Sequence, residues 1–176
     1  MMVKRSYLAS VAALMLIGFL PVQAAEQGTV QAIIPWEASG RVFQVDTSGL
    51  MFLGAFTGVM YIESSQGEMH EAFVMCPIIQ KLNLKTSNSE AVGHCEISAS
   101  PEDVAYAELT CKGEVGSCDG TFTLVSGEGK FAGIAGVGTL RVRSPMRTLI
   151  TDMASGADVR IASGLAVIKN LEYSTP

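Results

Sequence analysis

Val104-Ala-Tyr-Ala-Glu-Leu-Thr-Cys-Lys112 and, after a short turn, Cys118-Asp-Gly-Thr-Phe-Thr-Leu-Val125 alternate small or apolar residues with polar ones. Successive side chains of a β-strand point to opposite faces, so this period of two predicts two strands, each with one buried face. The intervening segment contains Gly113 and Gly116 and is typical of a turn. The two strands therefore form an antiparallel hairpin, from which the rest of the fold is predicted.

The same alternation extends along the chain. From Leu50 to Ile62 the even positions carry large apolar groups, and the glycines among them allow that strand to bend. A helix is predicted over 144–156, where Ser144 is a suitable cap. Many short strands favour a sandwich or a barrel, and we predict one all-β domain, a single antiparallel β-barrel of about eight strands with at most that one short helix. The further strands are predicted over 91–99 and near 29–35, 41–46, 69–76, 80–86, 131–143 and 158–168.

The first 24 residues have the composition of a secretory signal peptide. Lys4 and Arg5 precede an apolar run from Tyr7 to Leu20, and Val22-Gln-Ala24 presents small residues at the expected cleavage site. The apolar run is shorter than the roughly 20 residues of a membrane-spanning helix. We therefore predict a signal peptide at 1–24, a β-barrel domain at 25–176 with no membrane span, and a periplasmic or extracellular location.

The net charge of the chain limits its partners. The chain has 12 basic and 17 acidic residues, a net charge of −5, and loss of the leader removes two of the basic ones. An acidic protein gains no long-range attraction for nucleic acid or anionic lipid. We therefore predict no nucleic-acid partner.

The four cysteines, Cys76, Cys95, Cys111 and Cys118, all lie in the mature chain. An even count in an exported protein predicts two disulfides, for which three connectivities exist. Cys111 and Cys118 flank the hairpin turn, so a bridge between them is favoured, which leaves Cys76 with Cys95. A zinc site is the alternative, but no Cys-x-x-Cys pair is present and an oxidising compartment opposes free thiolates, so no metal is predicted.

A glycine-rich run, Gly127-Glu-Gly-Lys-Phe-Ala-Gly-Ile-Ala-Gly136, follows the hairpin. It lacks the Gly-Lys-Ser/Thr of a P-loop, so it predicts a turn and a curved strand rather than a nucleotide site. The run resembles the signature of allene oxide cyclase-like and dirigent-like barrels. The preceding segment, 111–122, resembles a cysteine-containing, exported bacterial branch of that group. The resemblance implies an antiparallel barrel of about eight strands with an apolar interior, but no catalytic residue of the family can be matched onto this chain.

Three functions are open at this point. The first is a non-catalytic barrel that holds a small hydrophobic molecule, without a cofactor, in a cavity of at least roughly a few hundred Å³. The second is a structural or interaction protein that acts through its surface as a homo-oligomer. The third is a cyclase or isomerase on a hydrophobic substrate, which needs a buried ionisable or strongly hydrogen-bonding group with a perturbed pKa. The predicted ligand-binding residues of the first function are Phe52, Phe56, Tyr61, Tyr106, Leu109, Phe122 and Leu124.

The other chemically interesting side chains have structural interpretations. Trp36, like Tyr61 and Tyr106, is predicted either to line a cavity mouth or to brace the core. His70 and His94 are interpreted as surface residues. Arg141 and Arg143 alternate with apolar neighbours, which predicts a solvated strand face, or a carboxylate site if the arginines point into the barrel.

Overall fold

The computed structural model describes residues 26–145 and 158–176. They form eight strands, which close into one antiparallel barrel in sequence order, β8 pairing with β1. The predicted all-β barrel is thus confirmed, and its closure leaves no edge strand exposed. The predicted leader and nearly all of the predicted helix at 144–156 lie outside the described residues. The strands are β1 (Gln27–Gln44), β2 (Gly49–Ser64), β3 (Met69–Asn83), β4 (Asn88–Ser98), β5 (Val104–Glu114), β6 (Ser117–Gly127), β7 (Ala135–Arg143) and β8 (Asp158–Ser174).

Two predicted breaks between strands do not exist. The predicted strands 29–35 and 41–46 are one continuous strand, β1, because Gly40 lies opposite Gly54 of β2 and lets the two backbones approach. A Cβ on Gly40 would lie 2.6 Å from the Cα of Gly54. Similarly, 69–76 and 80–86 form the single strand β3, in which Pro77 sits exposed on the outer face without interrupting it. Neither Gly40 nor Pro77 therefore reverses the chain.

The lumen is filled with apolar side chains over most of its length. The packed section, which we define by Met60, Val74, Phe122, Leu140 and Ile168, contains side chains that are at most 2% exposed. They come from five different strands and meet inside the barrel. A barrel interior filled by buried side chains in this way is a packed core and not a channel.

Both disulfides bridge neighbouring strands inside the barrel. Cys76 of β3 bonds Cys95 of β4 with a Cα–Cα distance of 4.1 Å, and Cys111 of β5 bonds Cys118 of β6 at 5.5 Å. All four side chains are buried. The connectivity favoured by the hairpin turn is confirmed.

The glycine-rich run closes one end of the barrel. Gly129 and Gly133 have φ values of 62° and 75°, which L-residues rarely adopt, and Gly129–Phe131 forms a single 3-10 turn. The strand predicted over 131–143 therefore begins only at Ala135. Ile134, 6% exposed, packs into the core next to Phe131.

The β4–β5 connection holds this turn in place. The Lys130 backbone N–H donates to Asp103 Oδ1 at 2.9 Å, and its ammonium lies 3.3 Å from Oδ2. The backbone hydrogen bond lowers the pKa of Asp103. The run predicted as a turn is thus the connection between β6 and β7, and Asp103 anchors it to the β4–β5 connection.

Candidate functional site

The end of the lumen away from this turn contains a cavity of about 80 Å³ that is partly open to solvent. Every strand contributes to its lining. The cavity is smaller than the predicted volume of at least a few hundred Å³, because the inward side chains of the packed section fill the rest of the lumen. For comparison, an engineered apolar cavity of about 150 Å³ holds one benzene molecule. The described lining is Trp36, Ala38, Val42, Phe52, Phe56, Ile78, Gln80, Leu82, Ser89, Ala91, Leu109, Cys111, Gly116, Ser117, Cys118, Val142, Ser144 and Ala162.

Trp36 forms one wall of this cavity, and Gly164 makes room for its indole ring. Its partner in β2 is Gly58 and its partner in β8 is Gly164, so the indole has a glycine on each side. A Cβ on Gly164 would overlap the indole ring. The ring also contacts Phe56, with centroids 5.9 Å apart. Glycine kinks are a recognised way to curve a β-sheet, and an aromatic ring packed over a glycine helps to fix the strand register.

The indole nitrogen of Trp36 has no hydrogen-bond partner. Nε1 is buried, and it is the one such atom among the side chains that the structure describes, those of residues 26–145 and 162–176. A buried donor left unpaired costs about 1–3 kcal/mol, and buried tryptophans normally find an acceptor. Trp36 is therefore a lining residue of the cavity whose one side-chain donor lacks an acceptor.

The other polar groups of the cavity are uncharged. Gln80 Nε2 donates to Ser89 Oγ at 2.8 Å, and Ser89 is only 2% exposed. Ser144 Oγ donates to the Ser163 carbonyl at 2.6 Å, and the Ser144 N–H donates to the Gly116 carbonyl at 2.9 Å. Within the described lining no residue is ionisable. The perturbed carboxyl and phenol groups that the structure does describe lie elsewhere, outside this cavity.

The predicted ligand-binding residues divide into three groups. Phe52, Phe56 and Leu109 line the cavity. Phe122 and Leu124 are buried in the core at 1% and 6% exposure and are not among the lining residues. The third group is the two tyrosines, which lie outside the lumen.

Tyr61 and Tyr106 occupy outward positions of their strands. Tyr61 is 43% exposed. Tyr106 Oη donates to Glu128 Oε1 at 3.3 Å, and the negative charge of Glu128 raises the pKa of Tyr106. Of the three aromatic residues considered for a cavity mouth, only Trp36 contacts the cavity.

Sequence reasoning missed Gln80 and Ser89. Gln80 lies between the inward residues Ile78 and Leu82, and Ser89 is the first inward residue of β4, before Ala91. A polar residue that interrupts the apolar side of an alternating strand is the signal that would have found them.

The arginines of β7 do not form a carboxylate site in the lumen. Arg141 Nε donates to Asp119 Oδ1 of β6 at 2.8 Å, and Arg143 Nη2 lies 3.5 Å from the same oxygen. The hydrogen bond from Arg141 lowers the pKa of Asp119. These side chains form a solvated strand face. His94, 3.8 Å from Glu108, and His70, 3.9 Å from Glu68, are likewise exposed.

No family model, curated protein or solved structure matches this chain. The resemblance to allene oxide cyclase-like and dirigent-like barrels therefore stays a prediction from sequence. Among the residues placed by the structure, no group of three or more His, Cys, Asp or Glu could hold a metal ion. In the same ranges, no helix has the length and apolar character needed to cross a membrane.

Proposed function

We propose that this protein is an exported barrel that binds the end of a small, mainly apolar molecule in its lumen cavity. The single observation that carries the proposal is the unpartnered indole N–H of Trp36, which is a lining residue of that cavity. A ligand oxygen that accepts this hydrogen bond would remove the cost of the orphaned donor. The signal-like leader and the two disulfides support export.

The lining restricts the chemistry of the ligand. Aromatic and aliphatic side chains provide most of the contact surface. An ionised ligand group buried here would have no described counter-charge, which makes its desolvation costly. A neutral acceptor, such as a carbonyl, ether or hydroxyl oxygen, fits the Trp36 donor.

The size of the cavity restricts how the ligand binds. About 80 Å³ is enough for a terminal group of a few heavy atoms but not for a whole lipid or pigment. The cavity is partly open, so the rest of a longer ligand would extend out of the barrel. The proposed mode is therefore end-on anchoring and not enclosure.

Calorimetric titration of the mature protein with cyclopentanone and cyclopentane tests the proposal. The two probes have the same ring, and only cyclopentanone carries an acceptor. Because the cavity is smaller than the roughly 150 Å³ that encloses benzene, part of either ring would lie in the open mouth. We expect cyclopentanone to bind more tightly, and the Trp36→Phe variant to lose about tenfold in affinity for it, since one hydrogen bond contributes about 1.4 kcal/mol. The affinity for cyclopentane should change little.

Tyr61→Phe is the matched control, because it removes a hydroxyl on the outer face of the same barrel. It should bind both probes as the wild type does. Equal affinity of the wild-type protein for both probes, or no binding of either, would contradict the proposal. Native mass spectrometry of the protein isolated from its own compartment would then identify the natural ligand as added mass.

A further inference from the structure

Two neighbouring polar side chains interrupt the apolar lining of the lumen cavity. Gln80 of β3 and Ser89 of β4 occupy inward positions, and both line the cavity. In the register of the sheet, Gln80 is paired with Phe52 on one side and with Ala91 on the other. Ser89 is paired with Leu82. We call Gln80 and Ser89 the polar pair, which is thus set among apolar partners.

The polar pair forms one hydrogen bond and leaves further hydrogen-bonding capacity unused. Gln80 Nε2 donates to Ser89 Oγ at 2.8 Å. A glutamine amide also has a carbonyl acceptor, and a hydroxyl can donate as well as accept. Among the residues that the structure describes, Gln80 Oε1 accepts no hydrogen bond and the Ser89 hydroxyl donates none. One acceptor and one hydroxyl donor therefore remain beside the cavity.

The polar pair does not serve the stability of the barrel. Ser89 is 2% exposed and Gln80 is half-buried. A buried polar group without its hydrogen bonds costs free energy, and an incompletely satisfied polar network is less favourable than an apolar core. Residues such as Leu82 and Ala91, which occupy the adjacent inward positions, carry no such cost. Residues that conflict with the fold in this way are expected at functional sites.

Trp36 and the polar pair border the same small cavity with opposite requirements. Trp36 lies on β1, and the polar pair lies on β3 and β4. The cavity has about 80 Å³, so a terminal group of a few heavy atoms reaches residues of several strands. The indole N–H only donates, and Gln80 Oε1 only accepts. One ligand oxygen can satisfy both only if it carries a hydrogen of its own.

We propose that the polar pair selects a hydroxyl group as the buried end of the ligand, an inference that rests on the ligand-binding function proposed above. The hydroxyl oxygen accepts from Trp36 Nε1, and its hydrogen is donated to Gln80 Oε1. Ser89 is a positioning residue, because it holds the Gln80 amide through Nε2 and leaves Oε1 for the ligand. A carbonyl or ether oxygen would leave Gln80 Oε1 without a donor. The ligand class therefore narrows to apolar alcohols.

Calorimetric titration with cyclopentanol, cyclopentanone and cyclopentane tests this selection. The three probes share one ring and differ in the group that it carries. We expect the wild-type mature protein to bind cyclopentanol about five- to tenfold more tightly than cyclopentanone, the effect of one added hydrogen bond. Gln80→Met removes the amide and keeps the side chain unbranched. It should abolish this preference without lowering the affinity for cyclopentanone.

The ratio of the alcohol and ketone affinities is the decisive quantity, because a merely structural change in the lining would weaken both. Ser89→Ala should lower this ratio by about threefold, since the ligand must then order the Gln80 amide itself. Gln31→Met is the matched control, because it makes the same substitution at an exposed position of β1. It should keep the wild-type ratio. Far-UV circular dichroism checks that each variant is folded.

The three probes also separate the two proposals. Cyclopentanone that binds no better than cyclopentane would overturn the Trp36 hydrogen bond and, with it, the selection of a hydroxyl. If cyclopentanone binds better than cyclopentane, the selection alone is overturned by a wild-type protein that does not prefer cyclopentanol, or by a preference that persists in Gln80→Met. An unchanged ratio in Ser89→Ala would contradict the positioning role of Ser89.

Discussion

The packed section and the cavity of the lumen are enclosed by the same eight strands but differ in what their inward positions carry. In the packed section those positions hold Met60, Phe122, Leu140 and Ile168, which fill the space between strands. Around the cavity, small residues such as Ala38, Ala91 and Ala162 stand between the aromatic ones. Closure of a barrel therefore does not determine whether its interior is fully packed or contains a cavity. The size of the inward side chains decides it.

The largest expected contrast between the two sections comes from removing a phenylalanine. Phe122→Ala should destabilise the protein by about 3–5 kcal/mol, because it leaves an enclosed void in the packed section. Phe52→Ala should cost less, because one side of that ring already borders empty space and has fewer contacts to lose. Urea unfolding of both variants gives the comparison. An equal or greater loss of stability in Phe52→Ala would mean that the side chains around the cavity pack as tightly as those of the packed section.

The two disulfides should differ in the same experiment. They close loops of 19 and 7 residues. In the chain-entropy account, the double variant Cys76→Ala/Cys95→Ala loses about 3 kcal/mol and Cys111→Ala/Cys118→Ala about 2 kcal/mol. All four sulfurs are buried, so the packing losses are roughly matched. The reverse order would show that strain or packing, and not loop closure, determines their contributions.

The cavity disulfide should also be the more accessible of the two. Cys111 and Cys118 line the partly open cavity, whereas Cys76 and Cys95 do not. Under limiting dithiothreitol, mass spectrometry of alkylated protein should find label on the first pair before the second. Label on Cys76 and Cys95 first would contradict the assignment of the open end of the lumen.

Enlarging one small inward residue in each section should have effects of opposite sign. Ala91→Val adds methyl groups at the cavity and should raise stability by about 0.5–1 kcal/mol while weakening cyclopentanone binding. Ala107→Val adds the same groups where the side chain is 1% exposed, and should lower stability by about 1–3 kcal/mol. Thermal unfolding measures both. Destabilisation by both variants would indicate that no usable space exists beside Ala91.

The smallest expected effect concerns the turn that closes the packed end. The folded-state pKa of Asp103 is lowered below its usual 3.8, so its ionised form stabilises the fold above that pH. This contribution is lost as the pH falls through the lowered pKa. The melting temperature of Asp103→Asn should therefore lie below that of the wild type at neutral pH and converge with it in acid. A difference that does not shrink on acidification would contradict a role for the carboxylate charge.

The sequence predicted the fold because alternation is a strong local signal in this chain. Buried and exposed positions alternate along β4 and β5 as expected, and the hairpin turn placed Cys111 beside Cys118. The strand breaks expected at Ser39-Gly40 and after Cys76 were wrong, because Gly40 and Pro77 lie within continuous, paired strands. Whether a strand continues through such a residue depends on its pairing with another strand, as Gly40 pairs with Gly54. The local sequence does not contain that information.

The site was harder to predict than the fold. Phe52, Phe56 and Leu109 were assigned correctly to the inward face, but Phe122 has the same pattern and lies in the core. Which inward residues border a void depends on how eight strands stagger and on the side chains they bring together. The outward positions of Tyr61 and Tyr106 follow from the same alternation, which argues against a place for either in the lumen.

The central claim is that the Trp36 indole N–H donates a hydrogen bond to a ligand bound in the lumen cavity. The resonance of the indole proton tests this most directly. The chain has one tryptophan, so a ¹H–¹⁵N correlation spectrum contains one indole signal. Saturating cyclopentanone should move that proton downfield, as a new hydrogen bond does, while cyclopentane should not. An indole signal that cyclopentanone leaves unmoved, in a protein shown to bind it, would contradict the account.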